Sequence, residues 1–216
     1  MMILCDIGNT TYHFLKIKKN GKTKEFKLNI KDNLSNLKLK NKIYFISVNE
    51  KATKKLLKSF PNAININDKF SIDTDYSTTL GIDRVVASSN IKNGIVVDFG
   101  SAITVDIIKN KKHLGGFIMA GFDILKQNYP KISPKLQFNF NPNQNLDKIP
   151  NNTNSAINYA ILNMVILPIK EIQNRYNLKI IFTGQNSKLV LNYFNNYKFK
   201  PNLIFNNMRK IIEEIR

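Results

Sequence analysis

Leu4-Cys5-Asp6-Ile7-Gly8-Asn9-Thr10-Thr11 and Val96-Val97-Asp98-Phe99-Gly100-Ser101-Ala102-Ile103-Thr104 are two versions of one phrase, with Asp6 and Asp98 standing 92 positions apart. Each opens in a short apolar run that reads as a buried strand. Each then places Asp, any residue, Gly and a small polar residue where the strand ends. Glycine lets backbone N–H groups approach a phosphate, small polar side chains add hydrogen bonds, and the carboxylate can hold the cation that neutralises the phosphate charge. A single Asp-x-Gly is also ordinary turn chemistry. The second copy, with a similar sequel, carries the reading.

After the first phrase comes an alternating stretch, Tyr12 to Lys18, then Asn20-Gly21, then a second stretch, Thr23 to Leu28. Asn-Gly between two such runs is the strongest short hairpin signal. After the second phrase come Ile103 to Ile108, a polar turn at Asn110-Lys111-Lys112, and Leu114 to Met119. Both halves therefore predict a three-stranded antiparallel meander bent first at the Asp-x-Gly phrase. A strand over Lys42 to Val48 and a helix around Ala52 to Phe60 follow the first meander. Helices around Phe122 to Tyr129 and Ser155 to Tyr176, then a strand over Leu178 to Phe182, follow the second. This is a duplication of pattern, not of residue identity. It predicts an α/β protein of two lobes, 1–90 and 91–216.

With 216 residues, the chain can bury a sizeable core. No stretch approaches ~20 consecutive apolar residues, and no basic segment precedes an apolar one at the N-terminus, so neither a membrane span nor a signal peptide is expected. The one cysteine, Cys5, sits in a predicted buried strand and suits a reducing cytoplasm. A formal net charge of +18 invites a nucleic-acid reading. Only four of the 33 cationic residues are arginine, however, and bidentate phosphate and base contacts favour arginine. The lysines are scattered among Asn and Ile, as a solvated surface on an A/T-biased coding background would have them. No nucleic-acid partner is expected. The Asn/Pro-rich stretch Phe138 to Asn152 reads as an exposed loop.

Three further stretches carry chemistry. Gly81-Ile82-Asp83-Arg84 precedes a helix-like run, so Asp83 reads either as a helix N-cap or as a carboxylate beside a guanidinium facing an anionic ligand. Gly115-Gly116 and Gly121 bracket an apolar strand; they mark bends, or backbone lying close to a ligand. Ile180-Ile181-Phe182-Thr183-Gly184-Gln185 is a buried strand ending in Thr-Gly, a turn that can support a nucleotide base and ribose and is common in α/β proteins.

In this order the motifs resemble the type III pantothenate kinases, of the superfamily of acetate and sugar kinases, heat-shock ATPases and actin. That family carries Asp-x-Gly-Asn-Thr, matched by Asp6 to Thr10, and Gly-x-Asp-Arg, matched by Gly81 to Arg84. Its Asp-x-Gly-Thr-Ala-x-Thr is matched by Asp98 to Thr104 with Ser101 for Thr, and its Gly-Gly-x-x-x-x-Gly by Gly115 to Gly121. Its Asn-Thr-x-x-Ala is matched by Asn152 to Ala156, and Gln185 stands in place of the second Gly of its Thr-Gly-Gly. The resemblance covers nearly the whole chain.

It implies two ribonuclease-H-like lobes with a nucleotide cleft between them, and phosphorylation of pantothenate by ATP at the first step of coenzyme A biosynthesis. Asp6, Ile7, Gly8, Asn9, Thr10, Thr11, Tyr12 and His13 would form the ATP phosphate loop, with Asp6 near Mg²⁺. Asp98 would bind a monovalent cation, K⁺ or NH₄⁺, and Ser101 would contact ATP. Gly81, Ile82, Asp83 and Arg84 would contact pantothenate, with Asp83 as general base. Thr153 would contact it from the start of the late helix, where a plain N-cap role is also open. Family members use a Tyr upstream of Gly-x-Asp-Arg, for which Tyr76 is the nearby candidate. A cytoplasmic homodimer is implied. A related phosphotransferase with another small hydroxyl or carboxylate substrate, a non-catalytic nucleotide-binding regulator, and a basic nucleic-acid-binding protein remain alternatives.

Overall fold

The computed structural model describes residues 2–18 and 20–215. The chain forms two compact units, Met1–Ile91 with Asn202–Arg216, and Lys92–Pro201. The first boundary falls one residue past the expected 90/91. The C-terminal stretch, expected in the second lobe, belongs to the first.

In the first unit, β1 (Met2–Ile7), β2 (Thr11–Ile17), β3 (Thr23–Asn29), β4 (Ile43–Ser47) and β5 (Ile64–Asn65) form a sheet ordered β3-β2-β1-β4-β5. β1 pairs antiparallel with β2 and parallel with β4, which places it at the centre. That position explains its almost unbroken apolar sequence: Ile3, Leu4, Cys5 and Ile7 are all buried, because a central strand is covered on both faces. At the edge, β3 sends Lys24 and Lys27 to solvent, and charged residues there discourage pairing with another chain. One face of the sheet meets α1 (Glu50–Ser59) through Leu56, Ala52, Phe14 and Phe45. A two-residue strand, β6 (Asp73–Thr74), precedes α2 (Ile82–Ser88).

The second unit repeats the topology. β7 (Gly94–Phe99), β8 (Ala102–Lys109), β9 (Lys112–Ala120), β10 (Ile180–Thr183) and β11 (Tyr197–Phe199) run in the order β11-β10-β7-β8-β9. β7 and β8 pair antiparallel, and β10 lies parallel to β7. The β8–β9 hairpin turns through Asn110 and Lys111, both at positive φ (54° and 67°), the geometry of a two-residue turn whose twist suits a hairpin. Gly115 and Gly116, read as a bend, lie within β9; Gly115 takes φ 122° near a register shift opposite Ile107 and Ile108. After α3 (Phe122–Ile132) comes α4 (Thr153–Tyr176), the core helix of this unit. Its Ile157, Ile161, Leu162, Val165, Ile166 and Ile169 bury against Ile95, Val97, Phe99, Val105 and Phe182. α4 is long and apolar enough to cross a membrane by composition; one stripe of it is buried in this core, and Met164 and Leu167 are exposed.

The 138–152 stretch is the expected loop, without regular elements and mostly exposed, anchored where Phe138, Phe140 and Leu146 pack on the core. Fully buried Asn158 ties it: Oδ1 accepts from Asn141 N–H (2.7 Å), and Nδ2 donates to the Asn139 and Asn154 carbonyls (both 2.9 Å). What differs from expectation is the place of α5 (Leu203–Glu214), which buries Leu203, Phe205, Met208 and Ile212 and packs on β1 and α2. Each such side chain contributes roughly 1.5–3 kcal/mol when removed from water, which is why the helix stays with the first unit.

Candidate functional site

The first unit builds its loop where β1 turns into β2. Gly8 N–H donates to the Thr11 carbonyl at 3.0 Å, leaving Asn9 and Thr10 exposed at the tip. The Thr10 carbonyl accepts from Ile30 N–H at 3.0 Å, which fixes the tip against the chain after β3. Asp6 is half-buried at the end of β1 and lies opposite His13 in register. Ile7 and Tyr12, expected in the phosphate loop, have side chains in the core; the Tyr12 hydroxyl donates to the Ala52 carbonyl at 2.8 Å. Their possible contribution to a ligand is therefore through backbone. His13 Nε2 lies 2.6 Å from Glu25 Oε1 and its ring meets Phe205 edge-on at 4.7 Å. Burial, and then the nearby Lys27 ammonium, hold the His13 imidazole below its ordinary pKa despite the Glu25 contact.

Asp83 lies in the first turn of α2, but it is not the N-cap: Gly81 occupies that position. The cap reading of Asp83 thus fails, although its Oδ1 does accept from the Arg84 backbone N–H at 2.9 Å, inside the helix start. The carboxylate folds back over Gly81 so closely that a Cβ placed there would stand 2.5 Å from Asp83 Oδ1. Gly81 therefore leaves room for this rotamer. Tyr76 and Arg84, two of the expected substrate residues, are brought together, with the guanidinium carbon 4.7 Å from the Tyr76 ring centroid.

The second unit builds its loop at the equivalent bend. Gly100 N–H donates to the Ala102 carbonyl at 3.0 Å, and Ser101 is exposed. Asp98 is half-buried at the end of β7. Two glycines buttress this bend. Gly121 N–H donates to the Ser101 carbonyl at 3.1 Å, and a Cβ on Gly121 would meet that oxygen at 2.5 Å. Gly184, at φ 80°, presses on Asp98 and the Phe99 backbone. The sequence marked both glycines but gave no sign of what they touch.

Thr153 is the first residue of α4; Asn152 is its cap, its side chain accepting from Ser155 N–H at 2.9 Å. The plain cap role thus belongs to the neighbour, and Thr153 lines an open depression of about 600 Å³ with Tyr129, Leu136, Asn152 and Ala156. No group of three or more His, Cys, Asp or Glu able to hold a metal is found among the described residues.

Two units whose five main strands follow the same order, each with a glycine bend at the end of its first strand, define a duplicated α/β class of protein. A Sinorhizobium meliloti structure described as a 2-dehydro-3-deoxygalactonokinase shares the fold at TM-score 0.63 and 7% identity, over 100% of this chain and 97% of that one. Residues 2–175 match the family of type III pantothenate kinases. A type III pantothenate kinase of Campylobacter jejuni is 43% identical over 213 residues, 99% of this chain and 97% of its own. One from Helicobacter hepaticus is 39% identical over 214 residues, 99% of each. A Campylobacter jejuni crystal structure, described as a conserved candidate transcriptional activator of the Baf family, superposes at TM-score 0.84 with 42% identity, over 99% of this chain and 98% of that one. The chain belongs to the type III pantothenate kinase family, phosphotransferases of coenzyme A biosynthesis.

Proposed function

We propose that the chain transfers the γ-phosphoryl group of ATP to the primary hydroxyl of pantothenate, with Asp83 as general base. The observation that carries the assignment of roles is the placing of Asp83: a half-buried carboxylate at a helix start, oriented by the Arg84 N–H and by the space over Gly81. Phosphoryl transfer asks for in-line positioning and charge neutralisation, with little covalent work by the protein. Asp83 accepts the hydroxyl proton as the oxygen attacks phosphorus; the P–O bond to ADP breaks, and ADP leaves as the anion.

The Gly8–Thr11 bend binds ATP phosphates through backbone N–H groups, and Ser101 contacts ATP from the other loop. Asp6 would hold Mg²⁺ with the phosphates. Asp98 would hold K⁺ or NH₄⁺, a reading supported by its carboxylate lying against the Gly184 backbone. These cations, when bound, supply neutralisation of the charge that develops on the phosphates. Gly81, Ile82, Asp83, Arg84, Tyr76 and Thr153 belong to the pantothenate side of the reaction.

The enzyme is further proposed to work in the cytoplasm as a homodimer, without nucleic-acid or membrane partners. In support of a dimer, α4 exposes Met164 and Leu167, and Ile132 and Ile149 are also exposed, leaving apolar surface in the second unit that a second copy could cover. Light scattering on the purified protein measures the mass. Duplex DNA binding is expected to be weak and lost by ~200 mM salt; retention at that salt would return the +18 charge to a nucleic-acid role. The deciding experiment is a coupled ADP-release assay with pantothenate beside a panel of sugars and small acids. Turnover confined to pantothenate is expected. Turnover of another member instead, or none at all, would favour a related phosphotransferase or a regulator.

A further inference from the structure

α2, the helix that carries Asp83, spans only seven residues, Ile82–Ser88. Isolated helices shorter than ~12–15 residues are marginal in water, so the direction of α2 depends on what grips it. At its start, Gly81 supplies no side-chain cap. Near its other end, two side chains converge on the Val86 carbonyl. Ser89 Oγ donates to it at 2.9 Å from within the closing turn, and Asn207 Nδ2 donates to it at 2.7 Å from α5. Three residues further along the same face of α5, Lys210 Nζ donates to Asn90 Oδ1 at 3.0 Å, just past the end of α2.

Asn207 is out of character for its place. Around it on α5, Leu203, Ile204, Met208 and Ile212 are buried and apolar, and Asn207 itself is 6% exposed. Asn is a poorer helix former than Leu, and a buried amide is costly unless it is hydrogen-bonded. Propensity and burial would both be better served by Leu. What Asn207 adds is the bond across to α2.

We infer that Asn207 is a positioning residue for the transfer step: its amide fixes α2 against α5 and so sets where the Asp83 carboxylate points. The inference rests on Asp83 being the general base. At 1.5 Å rise per residue, Asp83 and Val86 stand about 4.5 Å apart along the helix axis. A tilt of so short a helix about its anchored carbonyl therefore carries the carboxylate with it. Misplacing a reacting group by a fraction of its contact distance is costly in rate, even when the altered residue lies far from the chemistry.

The test is steady-state kinetics with pantothenate and ATP on the unaltered enzyme, Asn207→Leu, Asn207→Ala and Ser88→Ala, and on Asp83→Asn with and without a change at Asn207. Leu matches Asn in size and lacks the donor. Both Asn207 variants are expected to lower kcat on the order of tenfold while changing KM for ATP by less than about twofold. In the Asp83→Asn background no base is left to aim, so Asn207→Leu is expected to lower kcat further by less than about twofold; a general loss of structure would lower it equally in both backgrounds. Ser88→Ala is the control on the same helix. The Ser88 hydroxyl is buried without a hydrogen-bond partner among the described residues, so its removal is expected to leave kcat within about twofold. Three results overturn the inference: unchanged kcat in both Asn207 variants, an equal fractional loss with and without the Asp83 carboxylate, or an equal loss in Ser88→Ala. Should Asn207→Leu fail to fold, Asn207→Ala carries both comparisons. Absence of pantothenate turnover by the unaltered enzyme would sink the functional reading itself, a separate and recognisable failure.

Discussion

Gly184 lies against Asp98: a Cβ built on Gly184 would stand 2.5 Å from Asp98 Oδ1, and 2.6 and 2.7 Å from the Phe99 carbonyl oxygen and nitrogen. The Thr-Gly turn after β10 therefore forms one wall of the half-site at the end of β7. Its backbone, at φ 80° and ψ 153°, occupies a region that only glycine populates readily.

Gly184→Ala is accordingly expected to destabilise by about 1–3 kcal/mol from backbone strain alone, with the contact on Phe99 adding to it. Gly21→Ala provides the comparison, because Gly21 also has positive φ (77°) but nothing within 4 Å of its would-be Cβ. That change should cost only the left-handed penalty, about 1–2 kcal/mol. Urea titration of both variants gives the two losses. Equal losses would show that the Gly184–Asp98 approach carries no energy of its own.

Asp98 makes a prediction about ions. Removing its charge in Asp98→Asn should raise the K⁺ or NH₄⁺ concentration for half-maximal activity on the order of tenfold, the equivalent of ~1.4 kcal/mol of lost attraction. The measurement is a salt titration with Mg²⁺·ATP saturating. Full activity of both proteins in Na⁺-only buffer would remove Asp98 from the cation site.

The reach of the sequence can be judged from these positions. The three-stranded meander of each unit was legible because it announces itself locally, by an Asp-x-Gly bend and a polar turn with strand partners adjacent in the chain, whereas β5, β11 and the parallel pairing of β4 and β10 were not. Nor was the return of α5 to the first unit. An amphipathic helix states which face it buries but not what covers it, and Leu203, Phe205 and Met208 would suit either core. The 138–152 loop was legible from its Asn and Pro residues, but its anchor was not, since Asn158 sits in α4, outside the stretch it ties down. The Asp98–Gly184 and Tyr76–Arg84 approaches are tertiary, and residue spacing along the chain carries no record of them.

His13 links the first unit's loop to pH. Its folded-state pKa is held below the ordinary 6.5 by burial, so as pH falls through 6.5 the unfolded chain takes up the proton first. Stability should therefore fall as pH drops from 6.5 toward the lower folded value, and this residue should contribute no pH dependence above 6.5. Melting temperatures of the unaltered protein and His13→Gln across pH 5–7.5 isolate the contribution, since every other titrating group is common to both. The difference between the two curves should change below pH 6.5; parallel curves would show that His13 titrates alike in both states.

Asp83 decides between a structural and a chemical carboxylate. Since Gly81 caps α2, the structural part of Asp83 is its acceptance of the Arg84 N–H, and an Asn side-chain oxygen can accept the same bond. Asp83→Asn should therefore leave the melting temperature and ATP affinity nearly unchanged. The amide cannot take the hydroxyl proton, so kcat should fall by roughly 10²–10⁴. Gly81→Ala makes the complementary change: its methyl would displace the Asp83 carboxylate, which keeps its charge but loses its direction. Lowered kcat in both variants, with stability retained, places the base at Asp83 in this rotamer. An Asp83→Asn protein that turns over pantothenate at near the unaltered rate would leave the carboxylate a purely local structural role and pass the search for the base to Asp6 or Asp98.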